Sequence, residues 1–479
     1  MAHDAGSTGA AVASGPRGRR LDDRSPLRGW RRPRRALPEP PAPATRRVTS
    51  LVVESVGAAL ALTLALTGVG SAPRLAATPL YAEGIAVRPD GSRTDVPTGT
   101  TPTYLPGSRV LAPATPDAAS DSAAAADRAW LASGTVPGAA GPYGSMVTDA
   151  LLDMHALVLA HGAAVASWTT QWRYVWPRDA AFVAVALART GHVSDALSVL
   201  DYLDTVQSPD GSFEARYLPD ASGPPDGRGV QTDGTGWALW ATGEVMATIA
   251  DPTARTAATT RLSAMIERST THLLTLVAGD GLPPASSDYW EVRERRLTLG
   301  TVAPVIAGLR ESVELLAALG ADDLAQRASV ATNATAVAVV DAFGPGGYGR
   351  YADRSHADAD AASAFLLPPF VETALPGAEA AWRASAAHMA RPAGGLAPGE
   401  AWRQDGVSWT PETSLYALVA ATIGDDQLAG TWLTWLDAHR TLAGSIPEKV
   451  LADGSPAAVA PLAWSAACVV LAVGELDTH

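Results

Sequence analysis

From residue 123 onward, apolar positions recur with a helical period almost without interruption. The spacing predicts helices near 123–132, 144–160, 178–190, 193–206, 234–249 and 252–277. It predicts more near 300–319, 321–342, 359–367, 378–389, 411–423, 426–441 and 460–472. Stretches such as 180–188 and 415–421 are apolar around most of the helix circumference and belong inside. Others, such as 322–340, keep a charged stripe and belong in an outer layer. About a dozen helices alternating between these two kinds describe an all-α body of paired helices, closed into a ring or stacked as a solenoid. No sequence repeat favours the open solenoid.

The first 122 residues follow different patterns. Residues 1–47 are rich in Gly, Pro and Arg without hydrophobic periodicity and read as a disordered basic tail. Residues 48–72 are long and apolar enough to cross a bilayer, with Glu54 as their one charge. Arginines precede this segment and acidic sequence follows, so the positive-inside rule places the N-terminus in the cytoplasm and the remainder outside. Cleavage as a signal peptide, with secretion, is the alternative, at the small residues Gly70-Ser71-Ala72. Pro73 and the long basic lead favour an uncleaved single-pass anchor. Residues 73–122 form a linker or irregular strap, with a strand around 81–87, leaving 123–479 for the helical domain.

Charge sharpens this division. The chain of 479 residues carries −13, but eleven arginines against four acids give residues 1–47 a charge of +7, which leaves −20 for the rest. An acidic body lacks the basic stripe that nucleic-acid binding requires. A single cysteine, Cys468, excludes an internal disulfide framework and any Cys-rich metal site. The nine histidines contain no HExxH pattern, and there is no phosphate loop, dinucleotide fingerprint or GxSxG elbow. Neither a metal nor another cofactor is called for.

The chemistry lies between the helices, where Trp, Asp, Glu and Arg replace the usual loop residues. Trp172-Arg173-Tyr174-Val175-Trp176-Pro177-Arg178-Asp179 enters an apolar helix; Pro177 suits the entry turn and Asp179 the helix dipole. Indole faces beside an Arg–Asp pair make a sugar clamp: the rings stack on a pyranose while the charged groups bond its hydroxyls. A second loop reads Asp288-Tyr289-Trp290-Glu291, where the apolar Trp290 would keep Glu291 protonated as a general acid. Glu294, among Arg293, Arg295 and Arg296, reads as a solvated ion pair. In a third loop, Ile446-Pro447-Glu448-Lys449, a Pro-stiffened turn sets Glu448 beside the chain's single lysine, as a carboxylate kept ionised. Two such carboxyl groups are the minimum equipment for hydrolysing a glycosidic bond.

At these loops the chain resembles glycoside hydrolase family 15, the glucoamylase, glucodextranase and bacterial trehalase group. The matching pieces are Trp176-Pro177-Arg178-Asp179-Ala180, Asp210-Gly211-Ser212-Phe213, Gln231-Thr232-Asp233-Gly234, Asp288-Tyr289-Trp290-Glu291, Ile446-Pro447-Glu448 and Pro461-Leu462-Ala463-Trp464-Ser465. They run in the family's order over residues 143–471. The resemblance implies an (α/α)6 toroid and inverting hydrolysis of an α-glucoside from its non-reducing end. It makes Glu291 the general acid and Glu448 the general base. Arg178 and Asp179 would hold the terminal glucose, with Trp172, Trp176, Asp288, Trp290, Arg403 and Trp464 completing the substrate site.

There are departures. Val292 replaces a second Glu, Ala466 a His or Tyr, and Trp172 a common Tyr. The usual Gly/Asn-Pro-Trp wall reads Val407-Ser408-Trp409-Thr410-Pro411-Glu412. The clamp and the carboxyl pair match the family while the leaving-group side differs. The expected substrate is therefore an α-glucan or α-linked oligosaccharide of open linkage. The expectation from another class is a non-catalytic glycan-binding protein of the cell envelope on the same toroid.

Overall fold

The computed structural model describes residues 78–352 and 358–478; the basic tail and the apolar segment 48–72 lie outside them. Among the described residues no helix is long and apolar enough to cross a membrane.

The helices begin where the sequence provides for a start. Asp117 caps α1 (Ala118–Ser133) and Thr298 caps α8 (Leu299–Ala318) with side-chain oxygens on the first free amides. Pro177 occupies the first turn of α3 (Pro177–Arg189), and Pro411 that of α11 (Thr410–Thr422). The other helices are α2 (Gly144–Leu157), α4 (Val193–Val206), α5 (Thr232–Thr248), α6 (Pro252–Arg261), α7 (Ser263–Leu276), α9 (Asp322–Phe343), α10 (Ala378–Met389), α12 (Asp426–Ala438) and α13 (Ala463–Leu476). The run expected at 252–277 breaks at Leu262 into α6 and α7. The element expected at 359–367 is a six-residue 3-10 helix, Ala361–Leu366, stopped by Pro368 and Pro369, which cannot extend it.

The all-α fold is an (α/α)6 toroid. Its inner ring runs α3, α5, α8, the 3-10 helix, α11 and α13, and α13 packs back on α3 to close it. The outer layer is α2, α4, α7, α9, α10 and α12, each lying against its inner neighbours. Burial follows the sequence pattern: every residue of α3 from Pro177 to Ala188 is buried, as is α11 from Thr410 to Ala421, while α9 buries one face. Phe182, Trp237, Trp240, Phe365 and Phe370 meet in the middle of the ring, and Trp464 stands on Phe182 with ring centroids 5.6 Å apart. At one crossing the inner helices touch through their backbones. A Cβ on Gly236 of α5 would lie 2.2 Å from the Pro304 carbonyl of α8, and one on Gly308 would lie 2.6 Å from the Gly236 carbonyl.

The segment before α1 is tied to the ring. Its hairpin pairs β1 (Gly84–Val87) with β2 (Arg93–Val96). Leu80 bridges to Ala458, and Arg93 donates to the carbonyls of Ala156 and Val158 at the end of α2. Arg109 is buried against Asp149 and Asp153 of α2 at 3.0 and 2.5 Å. Trp130 of α1 lies flat between the rings of His155 and His192, at 4.0 and 3.9 Å. A small antiparallel sheet of β3 (Ser408–Trp409), β4 (Lys449–Val450) and β5 (Pro456–Ala457) joins the entry of α11 to the loop carrying Glu448.

Candidate active site

The first turns of the inner helices and the loops before them converge on a cavity of about 320 Å³. Arg178 and Asp179, in the first turn of α3, are both buried in its wall. The Arg178 guanidinium lies 5.0 Å over the Trp464 ring. It reaches Asp233 at 3.1 Å, Glu291 at 3.3 Å and Asp179 at 3.5 Å. Burial alone would make this arginine less basic, but Asp179, Asp233 and Glu291 together outweigh it and hold its pKa above the ordinary value. Burial pushes the Asp179 carboxyl up to about 6 and the Asp233 carboxyl up to about 7, against the pull of Arg178.

Glu291 projects from a turn in which its N–H donates to the Asp288 carbonyl at 2.8 Å. Its φ of +56° is a left-handed conformation rare for a residue with a side chain. A buried network holds this turn. The Asp288 carboxylate accepts from the Trp290 amide, the Thr298 hydroxyl and Arg350. Arg350 also pairs with Asp360 at 3.1 Å and lies 3.6 Å over the Trp290 ring, while the Tyr289 hydroxyl donates to Asp360 at 2.5 Å. Glu294 belongs to this network, 2.7 Å from Arg350 with the Tyr351 hydroxyl donating to it. That corrects the expectation of a solvated ion pair: the turn aims Glu294 inward at a buried guanidinium.

The setting of Glu291 also differs from the sequence reading. The Trp290 indole packs edge-on against Trp402 and under Arg350. The Glu291 carboxylate is instead bracketed by two guanidinium groups, Arg178 at 3.3 Å and Arg228 at 2.7 Å. Arg228, 37% exposed, comes from a Gly- and Pro-rich loop and also pairs with Asp226. Arg216 in the same stretch lies over the Tyr174 and Trp176 rings, at 4.4 and 5.0 Å.

Glu448 is placed by backbone. Its N–H donates to the Val459 carbonyl, and its carbonyl accepts from the Thr410 amide at 3.0 Å. One carboxylate oxygen accepts from the Trp172 indole at 3.3 Å; the other is 3.2 Å from Lys449 Nζ. The Lys449 ammonium rests 4.2 Å over the Trp409 ring.

Of the residues expected in a substrate site, Trp172, Trp176, Arg178, Asp179, Trp290, Glu291, Glu448 and Trp464 line this one cavity. Asp288 does not; it is fully buried behind the wall in the Arg350 network. Arg403 does not either, since it is exposed and lies over the far side of the Trp402 ring at 5.3 Å. The sequence reading assigned no part to Arg216, Arg228, Tyr289, Trp402, Trp409 or Glu412, all of which line the cavity. Trp409 and Glu412 stood in the altered wall stretch, the available signal. The two arginines had none.

The cavity wall is rich in unused polar atoms. The indole nitrogens of Trp176, Trp290, Trp402, Trp409 and Trp464 are buried and make no hydrogen bond within the protein. The same holds for one oxygen of Glu412, and for an oxygen each of Asp179 and Glu448 whose only partners are the ion pairs with Arg178 and Lys449. Buried polar atoms are normally satisfied. A wall combining flat apolar faces with idle donors and acceptors suits a ligand that is apolar on its faces and hydroxylated at its edges. Among the described residues no group of His, Cys, Asp and Glu could hold a metal ion.

The fold is that of glucoamylases and related glycosidases. A solved glycosidase aligns at 22% identity over 69% of this chain and 96% of its own, with a TM-score of 0.58. A bacterial glucoamylase complexed with acarbose aligns at 17% over 75% of this chain and 59% of its own, with a TM-score of 0.61. The glucoamylase from Saccharomycopsis fibuligera aligns at 13% over 66% and 89%, with a TM-score of 0.55. At these identities the likeness is one of fold. No family model and no curated protein matches the chain.

Proposed function

We propose that the chain is a glycoside hydrolase of the family 15 type, an inverting exo-hydrolase releasing glucose from the non-reducing ends of α-glucans or α-linked oligosaccharides. The observation that carries this reading is the opening of Glu291 and Glu448 onto one tryptophan-walled cavity. Arg178 and Asp179 bond the hydroxyls of the terminal glucose. Glu291 protonates the glycosidic oxygen as the bond to C1 breaks. Glu448 takes a proton from the water that attacks C1 from the opposite face, so the product is β-glucose. Arg228 has to release the Glu291 oxygen to the leaving-group sugar, and its exposed position on a flexible-sequence loop permits this.

The double ion pair at Glu291 favours a second reading, a glycan-binding protein without turnover, because both carboxylate oxygens are already held by arginines, at 3.3 and 2.7 Å. One experiment separates the two. The purified chain is incubated with maltose, isomaltose, maltotriose, trehalose and starch, and proton NMR follows the anomer first released. Initial β-glucose supports the inverting hydrolase, and initial α-glucose refutes it. Glu448→Gln should lower turnover by about 10²–10⁴-fold, and a binder would be indifferent to it. The apolar segment at 48–72 supports placing this activity outside the cytoplasm, on a membrane anchor or secreted.

A further inference from the structure

Glu412 is buried at 2% exposure in the first turn of α11, yet it lines the cavity beside Pro411 and Trp409. The other buried carboxyls around the cavity each hold an arginine through at least one oxygen: Asp233 with Arg178, Asp288 and Asp360 with Arg350. Glu412 has no ion pair with any of these arginines, and its Oε2 makes no hydrogen bond within the protein. A buried carboxyl that served the fold would hold a charged partner, because one with neither an ion pair nor a bond to Oε2 costs stability. The ring also does not need an acid there. The neighbours of Glu412 along α11 are Thr413, Ser414 and Leu415, which pack without it.

Building on the hydrolase reading above, we propose that the Glu412 carboxyl is a specificity-determining donor that reads one hydroxyl oxygen of the sugar held by Arg178 and Asp179. The ligand class is a neutral hexopyranose carrying an oxygen at that position. The surroundings suit a donor. Burial is the main influence and disfavours charge. Glu448 from the β4 loop and Asp360 from the 3-10 helix add to it, while the helix amide of Glu412 and Arg178 from α3 oppose it. Of the other titratable groups, Tyr416 on α11 and Cys468 on α13 are themselves held neutral by burial, while Asp179 on α3 and Glu291 share the cavity wall. The carboxyl is thereby pushed up to about 8 and carries its proton at neutral pH.

The test is calorimetric binding of D-glucose and its 2-, 3-, 4- and 6-deoxy analogues to the wild-type chain, Glu412→Gln and Glu412→Leu at pH 6.5. Glucose release by the wild type from maltose, isomaltose, maltotriose, trehalose and starch is measured alongside. The wild type should bind one deoxy analogue about 10–100-fold more weakly than glucose. Glu412→Leu should lose the same factor for glucose and nothing further for that analogue. Glu412→Gln, which keeps a donor, should stay within about threefold of wild type. Wild-type affinity should fall as pH rises through 8, and that fall should be absent in Glu412→Gln. Should Glu412→Leu not fold, the Gln variant's pH profile decides alone. The inference is overturned if Glu412→Leu binds glucose as the wild type does or weakens every sugar equally. It is also overturned if both glutamate and glutamine proteins titrate alike. Turnover with unchanged deoxy-sugar selectivity sinks Glu412 and leaves the hydrolase standing. Selective binding without turnover does the reverse, and a wild type that binds no sugar sinks both.

Discussion

Two buried arginines, each among carboxylates, stand at different places in the ring and are treated very differently. Arg109 uses its whole guanidinium: Nε to Asp153, one terminal nitrogen to Asp149 and the other to the Asp149 carbonyl. Arg178 is as buried and has more acidic neighbours, but its Nε is idle, as is one oxygen of Asp233, and the Asp179 oxygen 3.5 Å from the guanidinium makes no hydrogen bond. Composition and burial are alike, so neither distinguishes a fastening from a binding site. The difference lies in what has been left unbonded. A cluster that closes on itself holds the chain together, while one with idle atoms facing a cavity is arranged for something else.

This contrast can be broken most sharply at Arg109. Arg109→Met strands the buried Asp153 carboxylate, while the half-buried Asp149 keeps Arg440 at 2.9 Å. It should cost about 3–5 kcal/mol, read as a large fall in Tm, while any folded fraction binds glucose normally. Arg178→Met should do the opposite. Asp179 and Asp233, already pushed up to about 6 and about 7, can take up protons when their partner is lost, so the fall in Tm should be smaller. Glucose affinity should drop by about 100-fold or more. Equal Tm losses with intact binding would erase the distinction.

The smallest effect is a difference in the sign of pH dependence. Burial holds His155 and His192 below the ordinary 6.5, against the pull of Asp195 and, for His155, Asp127. The stability they support is present above pH 6.5 and fades as pH falls below it, because the unfolded chain takes up protons more readily. Asp179 and Asp233 are raised from 3.8, so their contribution is present below pH 3.8 and lost as pH rises through 6 and 7. Hydrogen exchange should show α1 amides opening in mild acid, an effect removed by replacing both histidines with Phe. The first turn of α3 should open toward neutral pH. Asp153 under Arg109 is also raised by burial, which is why the comparison is made against the phenylalanine variant.

Most helices could be read from the sequence because inner and outer ones carry different apolar patterns and Pro or Gly marks their ends. The break at Leu262 could not, since α6 and α7 share one helical period and are separated only by how they pack. The tryptophans and carboxyls of the site stood out because loops seldom carry them. Arg228 did not: it meets Glu291 across 63 residues, and nothing local announces that meeting. Asp288 and Arg403 are next to the right residues in sequence, but the turn closed on the Asp288 carbonyl carries Glu291 to the cavity and leaves Asp288 behind the wall, and Arg403 stays at the surface. Glu412 was visible as a departure from the family's wall, and only its burial and idle oxygen give it a chemical meaning.

The glycine crossing of α5 on α8 acts as a gauge. Asp233, the partner of Arg178, stands one turn before Gly236, while the turn holding Glu291 is anchored by Thr298 at the head of α8. The gap between Arg178 and Glu291 is therefore set where two backbones rest on one another, with no side chain to flex between them. A single methyl group at either glycine would shim the machine open at its narrowest tolerance. Sequence drift is thus free to alter the rim of the cavity but has almost no latitude at two residues that lie outside its wall.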